Sequence, residues 1–167
     1  MGQKVNPVGL RIGISRDWNS RWYANNKDFA TFLDEDIRIR KFLEKKLKDC
    51  LLSHIEIERI KGKINVSIFT AAPGMVLGQD AKNIKELTAA VNKVVKGKEI
   101  KLTVVEVKNP SLDAVIVAKK MAKDLEERAS FRSVQKMAIR NVLKAGAVGC
   151  KTMVSGRLAG ADIARSE

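Results

Sequence analysis

The stretch P-G-M-V-L-G-Q-D-A-K-N-I-K-E-L, from Pro73 to Leu87, decides the fold of this chain. An apolar turn leads into Gly78, two polar residues and Ala81, and a helix is predicted to follow. A turn opened by glycine at a helix N-terminus exposes backbone N–H groups and the positive end of the helix dipole, and both attract phosphate. The helix is indicated by apolar residues at offsets of three, four and seven, namely Ile84, Leu87, Val91, Val94 and Val95.

This stretch resembles the KH module, in which a G-x-x-G loop binds about four nucleotides of RNA. It departs from the module at the last loop position, where Ala81 replaces glycine, and Asp80 places an acid where phosphate would approach. By these residues alone, an ordinary strand-turn-helix connection of an α/β domain explains the pattern equally well. Gly78 and Lys82 are the candidate RNA ligands here. Asp80 predicts that the loop contributes less to RNA affinity than the basic ends of the chain do.

The elements on either side extend the resemblance to a whole domain. Residues 28–51 have the apolar spacing of a helix. Strands are predicted at residues 54–60, 63–70 and 100–107, and Lys61-Gly62 fits a tight hairpin between the first two. This order of helix, two strands, short helix, loop, helix and strand resembles the type II KH fold, in which helices cover one face of a three-stranded sheet.

Beyond residue 107 the pattern changes, and Pro110 marks a boundary because proline disfavours helix in the residue before it. Helices are predicted at 111–128 and 130–145, each capped by the serine at its start, with a strand at 148–155. Two helices and one strand make a thin domain, which we expect to be incomplete. The sequence thus predicts an α+β protein with a basic arm at 1–27, a type II KH domain at 28–107 and a second, incomplete α+β domain at 108–167.

Charge is concentrated at the two ends of the chain, whose net charge is +13 over 167 residues. From residue 128 to residue 165, eight basic residues stand against the single acid Asp162, which gives +7. The first 27 residues carry five basic residues against Asp17, which gives +4, and the middle is nearly balanced. Two basic ends on a neutral middle indicate contact with nucleic acid in at least two places.

A row of cations lies on the predicted helix 130–145. No acid occurs between Phe131 and Val148 to relieve the repulsion among these charges, whereas a merely solvated helix face usually mixes signs. The row therefore predicts a surface that holds phosphates without reading sequence, with a solvated face as the alternative. The residues of this cationic ridge recur at intervals of four and are Arg132, Lys136, Arg140 and Lys144.

The N-terminal arm combines glycines with aromatic residues. Trp18, Trp22 and Tyr23 lie among Arg16 and Arg21. Rings among arginines stack on bases or on a partner protein, and they serve equally well to fix the arm to its own domain. Because the arm has little core to offset its ordering entropy, we expect it to be disordered in the free protein, with no regular element.

The sequence offers no catalytic, metal-binding or membrane-spanning signature. G-A-V-G-C-K-T at 146–152 lacks the spacing of a P-loop, which disfavours a nucleotide-driven RNA remodeller, and His54 has no nucleophile motif nearby. Cys50 and Cys150 lie far apart, so neither a zinc site nor a disulfide framework is indicated. No apolar run approaches the roughly 20 residues of a spanning helix. We expect a cytoplasmic, non-enzymatic protein without cofactor or metal.

Four segments together resemble one family, the bacterial-type small-subunit ribosomal protein three, which is the KH protein of the subunit head. They are G-Q-K-V-N-P-V-G-L-R-I-G-I at 2–14, W-N-S-R-W-Y-A-N at 18–25, the KH stretch, and S-G-R-L-A-G-A-D-I-A-R at 155–165. The resemblance runs along the whole chain in the same order. Family members continue past the position of Glu167 with further strands and a basic tail.

This resemblance implies a structural role in the ribosome: binding small-subunit ribosomal RNA in the lower head, lining the mRNA entry channel, and contacting small-subunit proteins ten and fourteen. The family's basic residues at the entry fall on Arg132 and Lys136, whereas Ser133 stands where the family often has an arginine. A free KH-domain regulator that binds transcripts is the alternative. The candidate RNA-binding residues are Lys4, Arg11, Arg16, Arg21, Gly78, Lys82, Arg128, Arg132, Lys136, Arg140, Lys144, Lys151, Arg157 and Arg165.

Overall fold

The computed structural model describes residues 2–60, 62–78, 81–95 and 98–167, and a four-stranded sheet organises the chain up to Glu106. The two central strands run antiparallel, and each outer strand runs parallel to its neighbour. In spatial order the strands are β1 (Ser20–Arg21), β2 (Leu52–Ile60), β3 (Lys63–Thr70) and β4 (Glu99–Glu106).

Helices cover one face of this sheet, because the strands alternate apolar and polar side chains. Ile57 in β2 and Val66 in β3 face each other across the ladder and are fully buried. The covering helices are α2 (Asn26–Lys46), α3 (Pro73–Leu77) and α4 (Lys82–Val94). The core they share with the sheet comprises Ile39, Leu43, Leu47, Cys50, Leu52, Ile55, Ile57, Ile64, Val66, Ile68, Val76, Val91, Val95 and Ile100. This is the arrangement expected of a type II KH domain.

The arm supplies one strand more than the predicted three. β1 pairs with β2 from Ser20 to Arg21, and the Asn19 carbonyl accepts a hydrogen bond of 2.9 Å from the amide of Ile57. Trp22 packs its ring at 5.5 Å from Phe29 and donates from Nε1 to the buried carboxylate of Asp36 at 2.8 Å. The expectation of a wholly disordered arm is therefore wrong for this part, and a two-residue strand is too short for alternation to reveal it.

The two other aromatic rings of the arm are exposed to solvent. Trp18 is 63% exposed and Tyr23 is 88% exposed, so of these three rings Trp22 is the one that packs the arm against the domain. Further towards the N-terminus the arm contains a short helix, α1 (Pro7–Arg11), which the sequence pattern does not predict. It forms because the Asn6 side chain accepts from the amides of Val8 and Gly9, and Pro7 stands at the first helical position.

The C-terminal part begins with two helices, α5 (Ala114–Glu126) and α6 (Phe131–Lys144). The cap of α5 is Asp113 rather than the predicted Ser111, because Ser111 lies within the turn Pro110–Leu112 that precedes the helix. The Asp113 carboxylate accepts from the amides of Val115 and Ile116, at 2.8 and 3.2 Å. α6 begins after Ser130 as predicted, although the serine side chain makes no capping hydrogen bond.

The strand predicted at 148–155 is wrong. Only β5 (Ser155–Gly156) pairs, antiparallel, with β6 (Arg165–Ser166), and the side chain of Val148 is fully exposed. Alternating residues form a strand only where a neighbouring chain takes up their backbone hydrogen bonds. In the described part of the C-terminal region, that neighbour reaches only the last residues of the predicted strand.

Two side-chain contacts join the sheet to the C-terminal helices. Ser53 Oγ donates to Asp113 Oδ2 at 2.5 Å, and Lys119 Nζ in α5 donates to the Leu52 carbonyl at 2.7 Å. His54, the only histidine, stacks on Phe69 with ring centroids 4.2 Å apart. Burial is the largest cause that lowers the pKa of His54, and the carboxylates of Glu56 and Asp113 oppose it. Its position at this junction is that of a packing residue.

Candidate nucleic-acid interface

The cationic ridge lies on the exposed face of α6. All four of its side chains are exposed, while Val134, Ala138 and Val142 on the opposite face are buried. The buried face holds the helix against the protein, so the cations stand free of the core. This arrangement presents positive charge to solvent along most of the helix, as phosphate binding requires.

The ridge also carries apolar surface, which the sequence pattern did not indicate. Ile139 and Leu143 lie between the cations in a shallow depression, and Leu143 is 47% exposed. Both residues stand three positions after a ridge cation, at Lys136 and Arg140, and this spacing puts them on the same face of the helix. Apolar side chains beside cations suit a ligand with both bases and phosphates.

Arg132, at the start of the ridge, differs from the other three cations. Its guanidinium lies 5.5 Å from the centre of the Phe131 ring, and its Nε lies 3.6 Å from a carboxylate oxygen of Glu167. A cleft between Arg132, Arg165 and the turn Leu158–Gly160 lies at this end of α6. The structure therefore brings two predicted RNA ligands together and adds an acid that sequence reasoning did not connect with the ridge.

The remaining C-terminal candidates are all exposed, but they differ in their partners. Arg157 donates from Nε to the Ala161 carbonyl at 3.0 Å and lies 3.3 Å from the Asp162 carboxylate. It is thus folded back on its own loop. Arg128 lies in the connection between α5 and α6, and Lys151 lies in the extended segment after α6. These two side chains face solvent.

In the arm, Arg21 is surrounded by acids. Its guanidinium lies 3.0 Å from Asp17, 3.5 Å from Glu56 and 3.1 Å from Glu58. Three carboxylates compensate this charge within the protein, which weakens its case as a phosphate ligand. Arg11 donates to the Pro7 carbonyl at 2.7 Å but remains exposed. Lys4 and Arg16 are exposed as well.

The KH loop is described only at its ends. Gly78 has a φ of +68°, and a Cβ there would lie 2.5 Å from the Asn83 side chain, so glycine is required by both backbone and space. Ala81 has a φ of +56° and precedes α4, and Lys82 is exposed at the first position of that helix. Asp80, on which the prediction of a weak loop contribution rests, lies outside the described residues together with Gln79.

Three other cations are turned inward and serve the fold. Arg59 contacts the carboxylates of Glu35 and Asp36, at 2.6 and 2.5 Å. Lys98 lies 2.8 Å from Glu35, and Arg40 donates to the Asn19 carbonyl. Burial raises the pKa of Glu35, but the hydrogen bonds from Lys98 and Arg59 outweigh it and hold that pKa below its ordinary value. These cations fasten the arm and α2 to the sheet.

Neither a metal centre nor a membrane segment emerges from the geometry. Among the described side chains, no group of three or more His, Cys, Asp or Glu residues is arranged to hold a metal ion. No helix within the described ranges is both long and apolar enough to cross a bilayer.

Two family models match the chain. The KH domain model matches residues 38–112, and the model of the ribosomal protein S3 C-terminal domain matches residues 121–167. The first confirms the KH resemblance of the Pro73–Leu87 stretch. The two together confirm the predicted fold class, a KH domain followed by a second α+β domain.

Curated relatives are similar along the whole chain. Small ribosomal subunit protein uS3 of Streptococcus mutans is 53% identical over 167 residues, which cover 100% of this chain and 76% of the relative. The protein of the same name from Streptococcus sanguinis has the same identity and coverage, and that of Streptococcus pneumoniae is 52% identical. The resemblance to bacterial-type small-subunit ribosomal protein three is thereby confirmed. This chain belongs to the uS3 family of small-ribosomal-subunit proteins.

Proposed function

We propose that the cationic ridge of α6 is the surface by which this protein holds RNA phosphates, with mRNA at the entry channel as its ligand. Membership in the uS3 family makes the protein a non-enzymatic, ribosomal-RNA-binding component of the small subunit, associated with ribosomes in the cytoplasm. The family resemblance supports the entry-channel role, because Arg132 and Lys136 fall on the family's basic residues at that place.

One observation carries this proposal: three consecutive ridge cations face solvent without a carboxylate beside them. Within the described ranges, no ion pair involves Lys136, Arg140 or Lys144. Leaving three like charges unpaired on one helix costs stability, by about 0.2–0.5 kcal/mol per adjacent pair. A polyanion that neutralises them offsets this cost and releases its own counterions.

Ribosomal RNA contacts are proposed for the other exposed cations. The arm contributes Lys4 and Arg16, the helix connection Arg128, and the C-terminal segment Lys151. In this proposal the arm at 1–27 acts with the KH domain at 28–107, to which β1 joins it, and the domain at 108–167 presents the ridge. Small-subunit proteins ten and fourteen are proposed protein partners, on the family resemblance.

The test replaces Lys136, Arg140 and Lys144 with alanine together and measures binding to unrelated single-stranded RNAs at several salt concentrations. Each cation that no longer binds a phosphate of a single strand reduces the slope of log affinity against log salt by about 0.7, so we expect a reduction of about 2 for the three. The fold should survive because the three side chains are exposed. Replacing the exposed Lys41, Lys45 and Lys46 of α2 removes the same charge and is the control.

An unchanged slope, or a loss of affinity no greater than in the α2 control, would return the ridge to an ordinary solvated face. A loss that depends on RNA sequence would indicate base recognition instead. Cosedimentation with the small subunit through a high-salt wash separates the ribosomal role from a free KH regulator, which would be released.

A further inference from the structure

The acid beside Arg132 comes from the C-terminal strand pair and is held there by its backbone. The amide of Glu167 donates to the Val154 carbonyl at 2.9 Å, and the amide of Val154 donates to the Glu167 carbonyl at 2.8 Å. Gln135 Nε2, on α6 itself, donates to the same carbonyl at 2.9 Å. Three hydrogen bonds therefore fix Glu167 against the helix that carries the ridge.

From this anchored backbone the side chain reaches the first ridge cation. Glu167 Oε2 lies 3.6 Å from Arg132 Nε, and the two side chains are 34% and 71% exposed. Among the ion pairs of the described residues, this is the single contact between a carboxylate and the ridge. α6 itself contains no acid, so the carboxylate that contacts the ridge comes from the strand pair that follows the helix.

We propose that Glu167 is a counter-charge that limits how strongly the ridge holds RNA. In the free protein the Glu167 carboxylate pairs with Arg132, and a phosphate that binds this arginine has to displace the carboxylate. At Lys136, Arg140 and Lys144 a phosphate meets no competing carboxylate among the described residues. The ridge thus has one cation paired with a carboxylate, at its N-terminal end, and three cations that form no ion pair among the described residues.

This inference rests on the proposed function, since it concerns the same ridge and the same ligand. A surface over which RNA advances needs contacts that form and break readily. An exposed ion pair is weak enough to be displaced by phosphate, yet it lowers the net gain of each binding event. Glu167 would therefore set the affinity of the ridge without touching the RNA.

The experiment compares Glu167→Gln with Glu99→Gln, using oligouridylate as the single-stranded RNA probe and the 167-residue chain. Glu99 forms an exposed ion pair with Lys63 at 2.9 Å in the KH sheet, so both variants remove one negative charge from one ion pair. Glutamine keeps the backbone hydrogen bonds of Glu167, and thermal unfolding verifies that the fold is intact.

We expect Glu167→Gln to raise the affinity about 1.4- to 5-fold, as the removal of one exposed competing ion pair implies. It should also steepen the salt slope by about 0.7, because Arg132 then engages a phosphate fully. Glu99→Gln should change neither quantity beyond the effect of net charge. In an Arg132→Ala background, Glu167→Gln should give no gain.

Two results would overturn the inference: equal behaviour of Glu167→Gln and Glu99→Gln, or a gain from Glu167→Gln that persists when Arg132 is alanine. The failure of the proposed function has a different signature, because the variant lacking Lys136, Arg140 and Lys144 would then bind oligouridylate as the parent does.

Discussion

The guanidinium of Arg59 lies inside the protein, between aromatic rings and carboxylates. Its side chain is 8% exposed, its central carbon lies 4.6 Å from the centre of the Phe32 ring, and it contacts Glu35 and Asp36. At the scale of single residues, the protein thus uses arginine in two ways. Arg59 holds the fold from within, whereas Arg140 on the ridge stands in solvent.

Arg59→Ala should destabilise the protein by about 3 to 5 kcal/mol, because it leaves the buried carboxylate of Asp36 without its cation and Glu35 with Lys98 alone. Arg140→Ala removes the same charge from an exposed position and should change stability by less than about 0.5 kcal/mol. Urea unfolding of the two variants checks this prediction. Equal stabilities would mean that water replaces the missing guanidinium.

The pH dependence of stability provides a second test at this scale. The pKa of Glu35 is lowered in the folded state, so its ionised form stabilises the protein above the ordinary value of 4.5. This contribution is lost as the pH falls below 4.5 and through the folded pKa. Glu35→Gln lacks it, and its unfolding free energy should fall less steeply over that window than that of the parent. Parallel curves for the two proteins would exclude Glu35 as the cause.

At the scale of elements, periodicity predicted the long elements of the KH domain, missed the two-residue strands and wrongly predicted a strand at 148–155. β3 lies where alternation placed it, at Lys63–Thr70, and α4 follows its apolar spacing. β1 and β5 have two residues each, so neither has a period to detect. The cap of α5 was missed because Ser111 and Asp113 are both good caps, and only the turn Pro110–Leu112, which contains Ser111, decides between them.

The candidate site also has a part that the sequence predicted and a part that it did not. The spacing of four along α6 predicted the exposed ridge, because every cation of that set lies on one helix. The Arg132–Glu167 contact joins residues far apart in the sequence. No local pattern reveals it, since it depends on how the strand pair returns to α6.

The turn between α3 and α4 offers a test at this scale. Gly78 combines a φ of +68° with a ψ of −177°, a conformation open to glycine and strained for other residues. Gly78→Ala should therefore cost about 1 to 3 kcal/mol of stability. Gly74→Ala is the matched control, because a Cβ at that helical position meets nothing within 4 Å. Thermal unfolding distinguishes them, and equal melting temperatures would show that Asn83 yields to the added methyl group.

At the scale of the whole molecule, the arm is divided between a free part and a bound part. Asn19–Trp22 is hydrogen-bonded and packed against the sheet and α2, whereas the cations before it are exposed. The rings and the arginines of the arm thus divide their tasks, with Trp22 serving the fold and Arg16 open to a ligand.

Limited trypsin digestion should therefore cut the free protein after Lys4, Arg11 and Arg16, and much more slowly after Arg21. Backbone held in a sheet cannot enter a protease site without local unfolding. Mass spectrometry of the products identifies the cuts, and added ribosomal RNA should protect Arg16 if the arm binds it. Cleavage after Arg21 as fast as after Arg11 would mean that β1 does not hold the arm in solution.

The contact between Ser53 and Asp113 has a mechanical consequence. Asp113 caps α5 and at the same time accepts a hydrogen bond from Ser53 in β2, and Lys119 makes a second link to β2 from further along the helix. A sideways force on α6 passes through α5, which packs against it, to these two links. The sheet then takes up this force, and because α5 is held at two points, the ridge keeps its orientation relative to the sheet.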